Sequence, residues 1–225
     1  MPVLEVIDLK KSFISPDGER TQVVDVAKFS LQDGQQMALQ GSSGSGKTTF
    51  LNLIAGILQA DSGDVLIAGE NLTTLSESDR DRLRANTMGY VFQTFNLLQG
   101  YTALENVLLG MMFGPGPDRQ RAQELLERVG LKDRMNHRPR QMSVGQQQRV
   151  AVARALANKP KLVLADAPTG NLDHRNAAEA LTLIRQVCKD TGAALLLVSH
   201  DREVLGQFED VAELTKINAA AVQRN

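Results

Sequence analysis

Gly41-Ser42-Ser43-Gly44-Ser45-Gly46-Lys47-Thr48 gathers glycines, an ammonium and hydroxyls into one short stretch. The order fits G-x-x-x-x-G-K-[ST], in which glycines let backbone N–H groups curl around phosphate oxygens without side-chain clashes. Lys47 would reach the outer phosphates, and the Thr48 hydroxyl would offer an oxygen to Mg²⁺. A second signal is Lys161-Leu162-Val163-Leu164-Ala165-Asp166, an apolar run that ends in a carboxylate. In a phosphate-loop fold such an aspartate stands at the carboxyl edge of a neighbouring strand and holds Mg²⁺, directly or through water. The competing readings are a flexible Gly/Ser loop and an aspartate that only caps a turn; the strand before the loop and the helix after it favour phosphate chemistry.

These residues need elements to hold them. Residues 3–9 (VLEVIDL) alternate apolar and polar, as a half-buried strand does, and Ser15-Pro16-Asp17-Gly18 reads as a turn. Gln36 to Gln40 is a short strand that runs into the glycine loop. A helix begins near Lys47, with Phe50, Leu51, Ile54 and Leu58 at helical spacing. Leu162 to Ala165 and Ala194 to Val198 read as buried parallel strands. Between them Ala177, Leu181, Ile184 and Val187 or Cys188 share one face of an amphipathic helix. Further helices are expected over Arg119 to Val129 and from about Ser143 to Asn158, which Pro160 bounds. The expected organisation is a single α/β domain over residues 1–225. Residues 1–85 and 159–217 form its core, 86–158 a mostly helical insert, and 218–225 a loose tail.

Composition limits what such a domain could do. The chain has 225 residues, 42% of them hydrophobic and 23% charged, so it can build a core and is not disordered. Twenty-five basic and 26 acidic residues leave a net charge of −1, which gives sequence-independent nucleic-acid binding little electrostatic support. Cys188 is the only cysteine and cannot form an internal disulfide; a cytosolic chain is the simplest reading. No apolar run approaches the roughly 20 residues of a membrane span. The N-terminus lacks a secretory pattern, so a membrane role would need another subunit to provide the span.

Met142-Ser143-Val144-Gly145-Gln146-Gln147-Gln148-Arg149-Val150 resembles the signature motif of ATP-binding cassette (ABC) ATPases, departing from it at Met142 and Val144. The rest of that family's pattern follows in order over essentially the whole chain. The resemblance implies an α/β phosphate-loop core with an N-terminal antiparallel β region and a helical subdomain. It also implies ATP and Mg²⁺ as cofactors. Phe13 would stack on adenine, and Gly41, Ser42, Ser43, Gly44, Ser45, Gly46, Lys47, Thr48 and Thr49 would hold the phosphates. Thr48, Gln93 and Asp166 would contact Mg²⁺, and Gln93, Asp166 and His200 would serve catalysis. Ser143, Gly145, Gln146 and Asp173 would meet the nucleotide of a second copy, since Asn171-Leu172-Asp173 matches the loop that crosses the dimer interface.

Gln93-Thr94-Phe95-Asn96-Leu97-Leu98, Tyr101-Thr102-Ala103-Leu104-Glu105-Asn106-Val107 and Pro168-Thr169-Gly170-Asn171-Leu172-Asp173 look like the subfamily serving lipoprotein release and macrolide export. That subfamily pairs with integral-membrane permease subunits on the cytoplasmic face, without nucleic acid. Phe95, Leu97, Leu98 and Tyr101 are the expected docking stretch. One departure stands out. The family places a glutamate after the metal-binding aspartate, where it orients and deprotonates water, and here Ala165-Asp166-Ala167-Pro168 offers a methyl group. Hydrolysis should fall while binding survives. Two other readings stay open: a non-hydrolysing regulatory module, and a soluble ABC protein acting on nucleic acid or ribosomes.

Overall fold

The computed structural model describes residues 1–42, 44–170 and 173–222. Along the chain run β1 (Pro2–Ile14), β2 (Arg20–Gln32), β3 (Gln36–Gln40), α1 (Lys47–Ile54), β4 (Ser62–Ile67), β5 (Glu70–Asn71), α2 (Glu77–Thr87) and β6 (Met88–Val91). Next come α3 (Ala103–Leu109), α4 (Arg119–Arg128), α5 (Val144–Ala155), β7 (Leu162–Asp166), α6 (His174–Thr191) and β8 (Ala194–Ser199). The chain closes with α7 (Arg202–Leu205), β9 (Asp210–Glu213), α8 (Leu214–Ile217) and α9 (Ala219–Val222).

Among the described residues two sheets form. One is antiparallel, in the order β2-β1-β4-β5; the other is parallel, in the order β6-β7-β8-β3-β9. The parallel sheet is buried on both faces, which is why its strands read as unbroken apolar runs. Val163, Ala165, Leu195 and Leu197 point into a cluster completed by α3, α4, α5 and α6. Their alternates Leu162, Leu164, Leu196 and Val198 point the other way, against α1 and the antiparallel sheet. Leu181, Ile184, Val187 and Cys188 of α6 are buried as their spacing implied.

Three boundaries differ from the sequence reading. Met88–Val91, assigned above to a helical insert, is a strand beside β7. Four residues are too few to show a period, and Gly89 is required there because a methyl would collide with the Ala155 carbonyl. Leu58 lies beyond α1, which ends before Gly56 at φ 63°. The tail expected from residue 218 is packed as far as it is described: Asn218 is fully buried, and Ala220 and Ala221 nearly so.

Candidate functional site

Strands β7, β8 and β3 are neighbours in the parallel sheet, so their carboxyl ends bring Asp166, His200 and the glycine loop to one edge. A cleft of about 360 Å³ opens there, lined by Val23, Gly44, Gly46, Lys47, Thr48, Thr49, Gln93, Asp166, Ala167 and His200. The loop's shape demands glycine at two points. Gly44 has φ 78° and Gly46 φ 91°, and a methyl at Gly46 would lie 2.9 Å from the Val23 carbonyl oxygen. The loop also braces itself: Ser45 Oγ donates to the Ser42 carbonyl at 2.8 Å. Gly41 N–H donates to the Ser199 carbonyl at 3.4 Å, which ties the loop to the end of β8. Lys47 Nζ donates to the Gly41 and Ser42 carbonyls at 2.8 and 2.6 Å, placing its charge at the loop's mouth.

Two charges share this edge. Burial pushes the Asp166 carboxyl above its ordinary value; the Thr48 hydroxyl bond and the nearby Lys47 charge pull back the other way. Burial likewise lowers the Lys47 ammonium, opposed by Asp166. Thr48 and Asp166 are therefore directly linked, with a hydroxyl and a carboxyl presented together at the start of α1 and the end of β7. Ala167 sits next to them at φ 39°, a left-handed conformation unfavourable for a residue with a β-carbon. Its N–H donates to the Val198 carbonyl at 3.0 Å and its carbonyl accepts from Gly170 N–H at 3.0 Å, so a tight turn holds it in place. A methyl at Gly170 would stand 3.0 Å from Gln93 Nε2, which puts the Gln93 amide against that turn.

Other expected site residues lie elsewhere. Phe13 pairs with Thr21 in the β1–β2 ribbon and its ring is exposed beneath Lys11, whose Nζ is 5.7 Å from the centroid; it does not line the cleft. Ser143, Gly145, Gln146 and Asp173 are also outside this cleft. Ser143 caps α5, accepting from Gln146 N–H at 3.3 Å while Gln146 Oε1 accepts from Ser143 N–H at 3.0 Å. Asp173 caps α6, accepting from Asn176 N–H at 2.9 Å and from its side-chain amide at 2.6 Å. Gly145 packs against that same Asn176, where a methyl would be only 2.8 Å from Oδ1. The two helix starts thus form one surface. Ser43, Asn171 and Leu172 lie outside the described residues.

Three participants escaped the sequence reading. Val23 forms a cleft wall from β2. Arg154 of α5 donates to the Phe95 and Asn96 carbonyls, just beyond Gln93, at 2.6 Å each. Asn106, nearly fully buried, accepts from Leu98 N–H at 2.9 Å and donates to the Tyr101 and Thr102 carbonyls at 3.2 and 3.0 Å, fixing the loop before α3. A buried side-chain amide and a half-buried guanidinium carry no periodic signal; only the contacts reveal them.

A glycine loop on a helix start, with an aspartate at the end of a strand two places away in the same parallel sheet, defines a phosphate-loop nucleotide-binding protein. The profile of the family described as "ABC transporter" matches residues 24–170. The chain belongs to the ABC transporter ATPases, an ATP-hydrolysing family, as its motifs implied. It is 42% identical over 223 residues, 98% of either chain, to the lipoprotein-releasing system ATP-binding protein LolD of Pseudomonas fluorescens. Among solved structures it resembles the bacterial ABC transporter cassette MJ0796 in its dimeric form (TM-score 0.85, 34% identity, 93% of each chain). The same cassette has been seen as a dimer in a post-hydrolysis state with ADP and Pi (TM-score 0.84, 34% identity, 93% of each chain). A further likeness is cbiO1 of Clostridium perfringens, part of the ABC transporter complex cbiONQ (TM-score 0.80, 26% identity, 94% of this chain and 84% of that one).

Proposed function

We propose that this chain binds Mg²⁺-ATP in the cleft, pairs with a second copy around the nucleotide, and drives a membrane permease of the lipoprotein-release type. The observation that carries this reading is the convergence of Lys47, Thr48, Gln93, Asp166 and His200 on one cleft at the carboxyl edge of the parallel sheet. Lys47 and the loop N–H groups would hold the phosphates, His200 would reach the terminal one, and Phe13, exposed outside the cleft, would cover an adenine that projects beyond it. The residues suit Mg²⁺. Thr48, Gln93 and Asp166 offer hard oxygens, and no group of three His, Cys, Asp or Glu among the described residues could hold a metal ion. That donor set fits an ion that takes its other ligands from phosphates and water. Bound there, Mg²⁺ would neutralise charge on the phosphate oxygens.

Ser143 and Asp173 are exposed and away from their own chain's cleft, which suits contact with the nucleotide of a second copy. For the permease, exposure favours one part of the expected docking stretch. Phe95 and Leu97 are buried in the helical cluster, whereas Leu98 and Tyr101 are 50% and 45% exposed on the loop that Asn106 fixes. These two side chains are the part of the expected stretch that a partner could touch. No described helix is long and apolar enough to cross a membrane. As the ATPase subunit of a permease, the chain would work on the cytoplasmic face.

Ala167 favours a second reading, a regulatory module that binds nucleotide without turning it over. Positioning supplies most of the catalysis of phosphoryl transfer, and a methyl at this wall neither positions nor deprotonates water. Co-purification with a permease, together with phosphate release by Ala167→Glu, separates the readings. Permease capture with restored turnover supports the transporter; negligible turnover with the permease present supports the module.

A further inference from the structure

We infer that Asn218 is a positioning residue of the nucleotide site, whose carboxamide sets the gap between β2 and the phosphate loop. This rests on the nucleotide reading of the cleft. Asn218 is fully buried, and its carboxamide makes three hydrogen bonds, all to the cleft's framework. Oδ1 accepts from Asp25 N–H at 2.7 Å. Nδ2 donates to the Val23 carbonyl at 2.9 Å and to the Ser45 carbonyl at 3.3 Å.

The place of these bonds gives them meaning. β2 is the outer strand of its sheet, and its pairing with β1 slips between Lys11 and Ser12, opposite Val23. Val23 C=O and Asp25 N–H therefore need partners outside the sheet, and the carboxamide serves both as the peptide group of a neighbouring strand would. Its remaining hydrogen reaches across to the loop. One planar group thus spaces Val23, a cleft wall, from Ser45 and Gly46, whose backbone shapes the phosphate cradle. The fit is close: a methyl at Gly46 would lie 3.4 Å from Nδ2 and 2.9 Å from the Val23 oxygen. Asn218 has no part in the cleft lining, so its effect passes through the loop. By linkage, nucleotide that tightens the loop must also tighten the turn that carries Asn218.

The test uses the full chain, calorimetric titration with Mg²⁺-ADP, and melting without nucleotide. Asn218→Asp keeps the size and the acceptor for Asp25 but sets a carboxylate against two carbonyls. Leu214→Ala removes buried volume from the same segment and leaves the carboxamide in place. Asn218→Asp should weaken ADP by about tenfold or more, the worth of one lost hydrogen bond. Leu214→Ala should stay within about twofold of the natural chain, whatever its melting loss. In the natural chain, exchange of the Ala221 amide, bonded to the Asn218 carbonyl, should slow with ADP by more than the amides of α4 do. Unchanged affinity in Asn218→Asp, equal loss in Leu214→Ala, or no preferential protection of Ala221 overturns the inference. If Asn218→Asp does not fold, exchange in the natural chain decides. Absence of ADP binding by the natural chain overturns the nucleotide reading as well.

Discussion

Arg154, in the last turn of α5, donates from Nη2 to the carbonyl oxygen of Phe95 at 2.6 Å. Its Nη1 takes the next carbonyl, Asn96, at the same distance. Phe95 and Asn96 are consecutive residues with φ 58° and 50°, a left-handed pair that needs outside support. The helix that begins at Ser143 therefore ends by holding the turn that follows Gln93. Burial pulls the guanidinium below its ordinary range.

Arg154→Met should destabilise the domain by about 2–3 kcal/mol, because both carbonyls lose a charged donor. Arg154→Lys should recover only part, since one ammonium does not reproduce the planar fork. Chemical denaturation of both variants checks this, and equal stability of all three forms would remove the clamp.

Lys47→Ala should weaken ATP by roughly a hundredfold or more, through loss of the charge at the loop's mouth. Calorimetry measures it, and unchanged affinity would show that phosphates do not bind here.

Restoring a carboxylate at position 167 tests chemistry and assembly together. Ala167→Glu should raise phosphate release by about 10²–10⁴-fold, although the glutamate must accept the left-handed φ of 39°. In the chain with Ala167, Mg²⁺-ATP should convert monomer to a long-lived dimer while Mg²⁺-ADP does not, since a ligand that binds only the closed pair stabilises that pair. A phosphate assay follows the first effect and light scattering the second.

Asp61 gives a pH prediction. Its carboxylate accepts from Lys11 Nζ at 2.9 Å and from Ser12 N–H at 2.7 Å, and these partners hold its pKa below the ordinary 3.8. A depressed carboxylate stabilises above its unfolded value and loses that contribution as pH falls through its folded one. Asp61→Asn should therefore cost less than about 1 kcal/mol near neutrality, since the pair is partly exposed. The difference should shrink as pH falls below about 3.8 and vanish only below the depressed folded value. A gap that persists in acid would assign the effect to shape.

Much of the site was legible because its parts are local. The glycine loop, its strand and its helix are contiguous, and Asp166 ends an apolar run, so order alone placed them. The residues missed were polar groups serving distant backbone. Asn218 looked like the start of a loose tail because an asparagine beside alanines carries no core signal. Yet its partners are Val23, Asp25 and Ser45, on the far side of the sequence. Arg154 occupied a helical pattern in which an arginine reads as solvated, and the turn it holds is 58 residues away. Burial of the docking stretch split between Leu97 and Leu98 because left-handed residues just before them break any period.

The order of strands in the parallel sheet has a consequence for synthesis. β3, which carries the phosphate loop, lies between β8 and β9, so Gln36 finds its neighbour only at Leu195. A ribosome adding roughly 5–20 residues per second leaves that strand waiting on the order of ten seconds or more. Through that interval the β3 apolar edge has no permanent neighbour, while the antiparallel sheet can already assemble from β1, β2 and β4. The nascent chain therefore completes its nucleotide cradle last, and chaperones have their longest access to the segment on which activity depends.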